Sequence, residues 1–225
     1  MTNPKRWVMP PRSGLSGSAP AADPATRTGS AAAGAAEAAF ALAETRAWVE
    51  RAVIGLNLCP FAKAVHARRR IRYVCSSATD AEALLEALCA EVRVLLDAAP
   101  ADIETTVLVH PFVLGDFDDY NDFLDLVDAA LEALGATGIV QVATFHPHYR
   151  FEGSAAHDIG NATNRSPYPT LQLLREDSIE AATATFPDSA VIYEANIATL
   201  QALGPVGWQA LQAACRRDAQ ASGEG

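Results

Sequence analysis

The sequence predicts an α/β domain: a mostly parallel four-stranded sheet flanked by helices, with a helical hairpin at the C-terminal end. Three observations carry this expectation. Four short runs, Ile71–Ser76, Thr105–Val109, Ile139–Phe145 and Thr170–Arg175, have the length and composition of strands. The segments joining the first three repeat their apolar residues at helical spacing, and strands joined through helices run parallel with right-handed crossovers. Half of the 225 residues are hydrophobic, enough to bury the core of one domain.

The chain begins with residues 1–36, rich in Ala, Gly, Ser, Pro and Thr. Ordering a backbone costs about 1–2 kcal/mol per residue, and this stretch has little to bury in return, so it is expected to be a disordered tail. Residues 37–220 form the single domain. A first helix starts near Glu37, with Trp48, Val49, Ala52, Val53 and Leu56 on one face and Glu44, Arg46, Glu50 and Arg51 on the other. Gly55 and Asn57 stop it. After the first strand, Thr79 and Glu82 read as a capping box for a helix over Asp80–Asp97 that buries Leu84, Leu85, Leu88, Val92, Leu95 and Leu96. A helix over Asp119–Leu134 follows the second strand and ends at Gly135. Asp177 and Glu180 open a helix after the fourth strand, and the hairpin over Asp188–Leu203 and Val206–Arg217 is broken at Gly204-Pro205.

Charge and cysteines bound the function classes. The net charge is −10, but the tail carries Lys5, Arg6, Arg12 and Arg27 against Asp23, so its +3 leaves −13 on the domain. An acidic body repels nucleic acid and anionic membrane, so neither is an expected partner. Cys59, Cys75, Cys89 and Cys215 are scattered without Cys-x-x-Cys spacing, the pattern of free thiols in a reducing compartment. No apolar run approaches the roughly 18–20 residues that cross a bilayer. The expected location is the cytoplasm. Oligomeric state is not legible.

The polar residues gather where the topology predicts a site. His110 ends the second strand, and His146 and His148 end the third. In parallel strands these ends share the carboxyl edge of the sheet, where open α/β sheets bind ligands. The long loop to the fourth strand starts there and carries His157, Asp158, Asn161, Asn164 and Arg165. Its length and polarity suggest function. His146-Pro-His148 places two imidazoles at i and i+2, and with Asp116 as a third ligand they are candidates for a divalent metal such as zinc. The alternative is that each His-Pro caps a strand end.

Cys59 is the candidate nucleophile. Pro60 disfavours helix at the residue before it and suits a first helical position. Cys59 is then expected at a helix N-cap, where its thiol pKa falls. It is equally a small apolar residue between Leu58 and Phe61. Arg165, stiffened by Pro167 and Pro169, offers a guanidinium fork to an anion or to an internal acidic neighbour. Asn57, Tyr149, Asn161, Asn164, Ser166 and Tyr168 complete the candidate binding residues.

These residues carry a resemblance. Gly55-Leu-Asn57-Leu-Cys59-Pro-Phe61, His110-Pro111, Asp116-Phe-x-x-Tyr120-Asn121, Phe145-His146-Pro-x-Tyr149-x-Phe151 and Asn164-Arg-Ser-Pro-Tyr-Pro169, followed by Leu173-Leu-Arg-Glu176, together resemble the bacterial family catalogued as domain of unknown function 1415. The resemblance spans about residues 40–205. It implies one compact soluble domain whose shared feature is this set of polar motifs, and it implies no activity.

Two functional expectations stand side by side. The first is a small hydrolase or lyase acting on a small anionic substrate, with His110 and His146 as acid/base groups and either Cys59 or a bound metal as the reactive centre. The second is a non-catalytic ligand-binding or interaction module in which the histidines are structural.

Overall fold

A computed structural model of the protein describes residues 24–184 and 189–223. The expected tail therefore lies outside the described residues up to residue 23, and the first helix, α1, already runs over Pro24–Trp48. It continues directly into a π-helical segment, Val49–Ile54, whose widened turn is shown by Gly55 donating its N–H to Glu50 O. Glycine is required there, because a side chain at Gly55 would collide with the Arg51 carbonyl. A short helix α2 (Ala62–Ala67) precedes strand β1 (Ile71–Cys75).

Next come α3 (Ala81–Asp97), β2 (Thr105–Val109), α4 (Phe117–Ala133) and β3 (Val140–Phe145). A loop holding a 3-10 helix, Ile159–Asn164, leads to β4 (Thr170–Arg175), α5 (Glu176–Thr183) and α6 (Ser189–Ser222). Gly204, at φ 67° and ψ 172°, breaks α6 into two arms, as the Gly204-Pro205 pair predicts. The expected start of this helix at Asp188 lies outside the described residues. No helix among the described residues is long and apolar enough to cross a membrane.

The sheet is mixed, not mostly parallel. Its order is β1-β2-β4-β3. β1 and β2 pair parallel, but β4 lies between β2 and β3 and runs antiparallel to both. The physical reason is the connection. Helices carry the chain back between β1, β2 and β3, so these strands point the same way. Between β3 and β4 there is only a loop, so the chain re-enters at the edge it left and runs back. The carboxyl ends of β1 to β3 and the start of β4 still share one rim: Val109 and Phe145 both pair with Thr170.

One face of the sheet is packed by α3 and α4. Leu84, Leu88, Val92 and Leu95 meet Leu108, Leu171 and Leu173 of the central strands, all fully buried, with Phe123 and Val127 of α4 beside them. Fully burying each such side chain is worth about 1.5–3 kcal/mol. Arg175 closes the end of this layer by donating to Leu95 O and Ala98 O, both at 2.6 Å, which satisfies carbonyls that α3 leaves open. The N-caps differ from expectation. Asp80, not Thr79, caps α3 through Ala83 N, and α5 has no side-chain cap at all. The opposite face is covered only in part. Ala41 and Leu42 of α1 lie on Val107 and Val109, and Trp48 meets Phe145 edge-on, with Leu200 and Trp208 of α6 behind.

Candidate ligand-binding site

On the carboxyl rim the histidines stand where the sequence puts them. His110 N–H bonds Pro169 O at 3.0 Å, continuing the β2·β4 ladder by one residue, while His146 N–H bonds Asn164 O at 3.1 Å and ties the end of β3 to the 3-10 helix of the loop. Both side chains are fully buried. They flank Tyr120, with ring centroids 5.8 Å and 5.1 Å away. The Tyr120 hydroxyl donates to Thr170 O and accepts from Phe145 N–H, tying α4 to the ends of both antiparallel strands.

The hydrogen bonds define the protonation of His146. His148 N–H donates to Nδ1 at 3.0 Å and Nε2 faces Leu114 O at 3.2 Å, so Nδ1 accepts and Nε2 carries the proton. Nδ1 of His110 faces Val113 O and therefore carries its proton, while its Nε2 is buried without a partner among the described residues. Burial pulls both imidazoles down to about 4. These are neutral histidines holding the rim together.

The remaining rim residues are committed in the same way. Asn161 accepts at Oδ1 from Phe151 N–H and Ser154 Oγ and donates from Nδ2 to Ala155 O. Asn164 donates to Thr144 O. Ser166 donates to Tyr168 O, and the Tyr168 hydroxyl donates to Glu44 of α1. Arg165 spans the loop by donating to Tyr149 O and Ala156 O. Asp116 caps α4, accepting from Asp118 and Asp119 N–H. His146, His148 and Asp116 are not arranged as a ligand set: among the described residues, no group of three His, Cys, Asp or Glu side chains is placed to hold a metal ion. An open cleft at the rim, about 510 Å³, is lined by Asp116, Asp118, His148, Arg150 and Arg165.

A second and more apolar space lies on the partly covered face of the sheet. It is a cavity of about 590 Å³, within the usual range for small-molecule sites. Its floor is formed by alternate residues of three strands: Thr105 and Val107 of β2, Ala143 and Phe145 of β3, Thr170 and Gln172 of β4. Its walls come from Trp48, Val49 and Val53, from Leu58, Phe61 and Val65, and from Ile179 of α5. On the floor Gln172 Nε2 donates to Thr105 Oγ1.

Cys59 lines this cavity, not the rim. It is not an N-cap. The cap position of α2 is Phe61, and Cys59 precedes it in a turn closed by Ala62 N–H on Cys59 O. Burial pushes its thiol up, against the opposing pull of the Phe61 and Ala62 N–H groups, so the expected activation by a helix end is not realised. Asn57, at φ 55°, makes the left-handed turn between the π segment and Leu58 and is exposed. Sequence reasoning missed the floor. Gln172 between the buried Leu171 and Leu173 signals that it faces the other side of β4, but nothing in the sequence marks that side as left open.

Fold and cavity together define an α/β module with a mixed sheet, one face of which carries a mainly apolar cavity. The chain belongs to the family described as protein of unknown function (DUF1415), which matches residues 41–210. That span contains the strands, the rim histidines and the cavity floor. No curated protein and no solved structure matches the chain.

Proposed function

We propose that this protein is a small-molecule-binding module whose ligand sits in the cavity between the sheet and the segment from Trp48 to Val65. One observation carries the reading: a cavity of about 590 Å³ with a mainly apolar lining, built over the centre of the sheet where a helix would otherwise pack. Interiors pack at close to crystal density, so an apolar space of this size gives up dispersion and burial energy that a ligand can supply. In this reading His110 and His146 are structural and the rim is a scaffold. The four free thiols fit a cytoplasmic location.

A cavity-filling variant tests it. Ala143→Trp is expected to leave the fold intact and abolish binding of 1-aminonaphthalene, followed by its fluorescence. Undiminished binding in that variant, or no binding to the native chain, overturns the reading. A second reading, a thiol enzyme working inside the same cavity, is favoured by Cys59 in the wall. It requires that Cys59→Ser removes turnover while probe binding persists.

A further inference from the structure

We infer that Gln172 selects the ligand of the cavity, and that this ligand is a mostly apolar, ring-sized molecule carrying one N–H or O–H donor. The inference rests on the binding reading above and adds the chemistry of what is bound. Gln172 sits mid-strand in β4, paired with Val107 on one side and Ala143 on the other. All three line the cavity, so the amide rises from an apolar floor.

The orientation of that amide follows from Thr105. The Thr105 hydroxyl lies 2.7 Å from Leu173 O. A carbonyl oxygen cannot donate, so the single hydroxyl hydrogen is committed to it. At Gln172 the Thr105 oxygen can then only accept, and Nε2 lies 3.0 Å from it. The flipped amide would set Oε1 against an oxygen with no hydrogen left to give. Oε1 is therefore turned away from Thr105, and among the described residues it has no hydrogen-bond partner.

Trp48 Nε1, in the wall, is buried without a hydrogen-bond partner among the described residues, whereas three polar side chains near the floor are engaged elsewhere. Asn164 donates to Thr144 O, Thr163 to Gly160 O and Thr170 to Tyr168 O. What the floor offers is an acceptor whose direction is fixed. A ligand that displaces water from this oxygen without supplying a donor leaves it unpaired, the situation in which binding sites reject analogues most strongly. Thr105 is a positioning residue in this arrangement.

Three isosteric bicyclic probes test the inference by titration calorimetry on the full chain: indole, which donates; indene, which does neither; and benzofuran, which only accepts. Indole is expected to bind about 3- to 10-fold tighter than indene, the range of one neutral hydrogen bond, and benzofuran weakest of the three. Gln172→Met is expected to equalise indole and indene without losing either. Thr105→Val frees the amide to turn and is expected to raise benzofuran toward indole. Equal affinities in the native chain, a benzofuran preference, or an indole preference that survives Gln172→Met overturns the role of Gln172 and leaves the cavity reading standing. If none of the three binds, both fall. The native-chain series decides by itself should a variant fail to fold.

Discussion

Asn161 on the rim and Gln172 in the cavity carry the same functional group in opposite circumstances. The Asn161 amide uses its oxygen twice and its nitrogen once, all within its own loop. The Gln172 amide uses its nitrogen once and keeps its oxygen. The regions around them differ likewise. His146, Asp116 and Arg165 spend their polar atoms on backbone groups of the rim, and His110 does so through Nδ1 alone, whereas the cavity lining is mainly apolar. A dense run of polar residues can therefore be the internal wiring of a long loop, whose backbone groups need partners once buried. In the proposed binding reading, the site is marked instead by apolar volume and by the fixed acceptor of Gln172.

The largest expected effect that sharpens this contrast comes from His146→Ala. It removes a fully buried ring and strands the partners of both its nitrogens. The expected loss is about 3–5 kcal/mol in urea unfolding, with probe affinity in the folded protein unchanged. A loss below about 1 kcal/mol would show that the rim side chains are not holding the fold, and the contrast would break.

Acid is the next lever. His110 and His146 sit at about 4 in the fold, against about 6.5 unfolded. Between these values the unfolded chain binds more protons, so stability is present above about pH 6.5 and is lost as pH falls toward 4. A decline on the order of a few kcal/mol is expected over that window, and His110→Gln should remove its share. A flat stability profile between pH 7 and 4.5 would count against buried neutral imidazoles.

Tyr120→Phe deletes the hydroxyl that links Thr170 O and Phe145 N–H. About 1–3 kcal/mol should be lost, again without effect on the cavity. The smallest effect separates two roles for Asp116. As a cap of α4, it should cost about 1 kcal/mol when changed to Ala and only a few tenths when changed to Asn. A large penalty for Asp116→Asn would point to a role for its charge that capping does not require.

Much of the fold was legible because its signals are local. Apolar spacing of 3.6 marked Leu84, Leu88, Val92 and Leu95 on α3, and Thr105–Val109 and Thr170–Arg175 are strands with the bounds the sequence suggests. The mixed sheet was missed because the connection from β3 to β4 holds no crossover α-helix and so turns β4 back, and no residue within β4 encodes which strands it lies between. The rim was located correctly, since Val109, Phe145 and Thr170 meet there. The use made of its residues was not legible. Whether Arg165 faces a substrate or the Tyr149 and Ala156 carbonyls is decided by how the loop closes.

By itself the sequence determined the helices, four strands, the breaks at Gly55 and Gly204, and the gathering of His110 and His146 at one edge. Backbone preference and side-chain periodicity act over a few residues, and the order of amino acids contains them in full. The tertiary structure alone decided that β4 runs between β2 and β3, that the histidines are buried and neutral, and that the space above Gln172 stays open. These depend on which distant segments meet. Desolvation, hydrogen-bond satisfaction and unfilled volume exist only once α1, the turn around Cys59 and the sheet have come together.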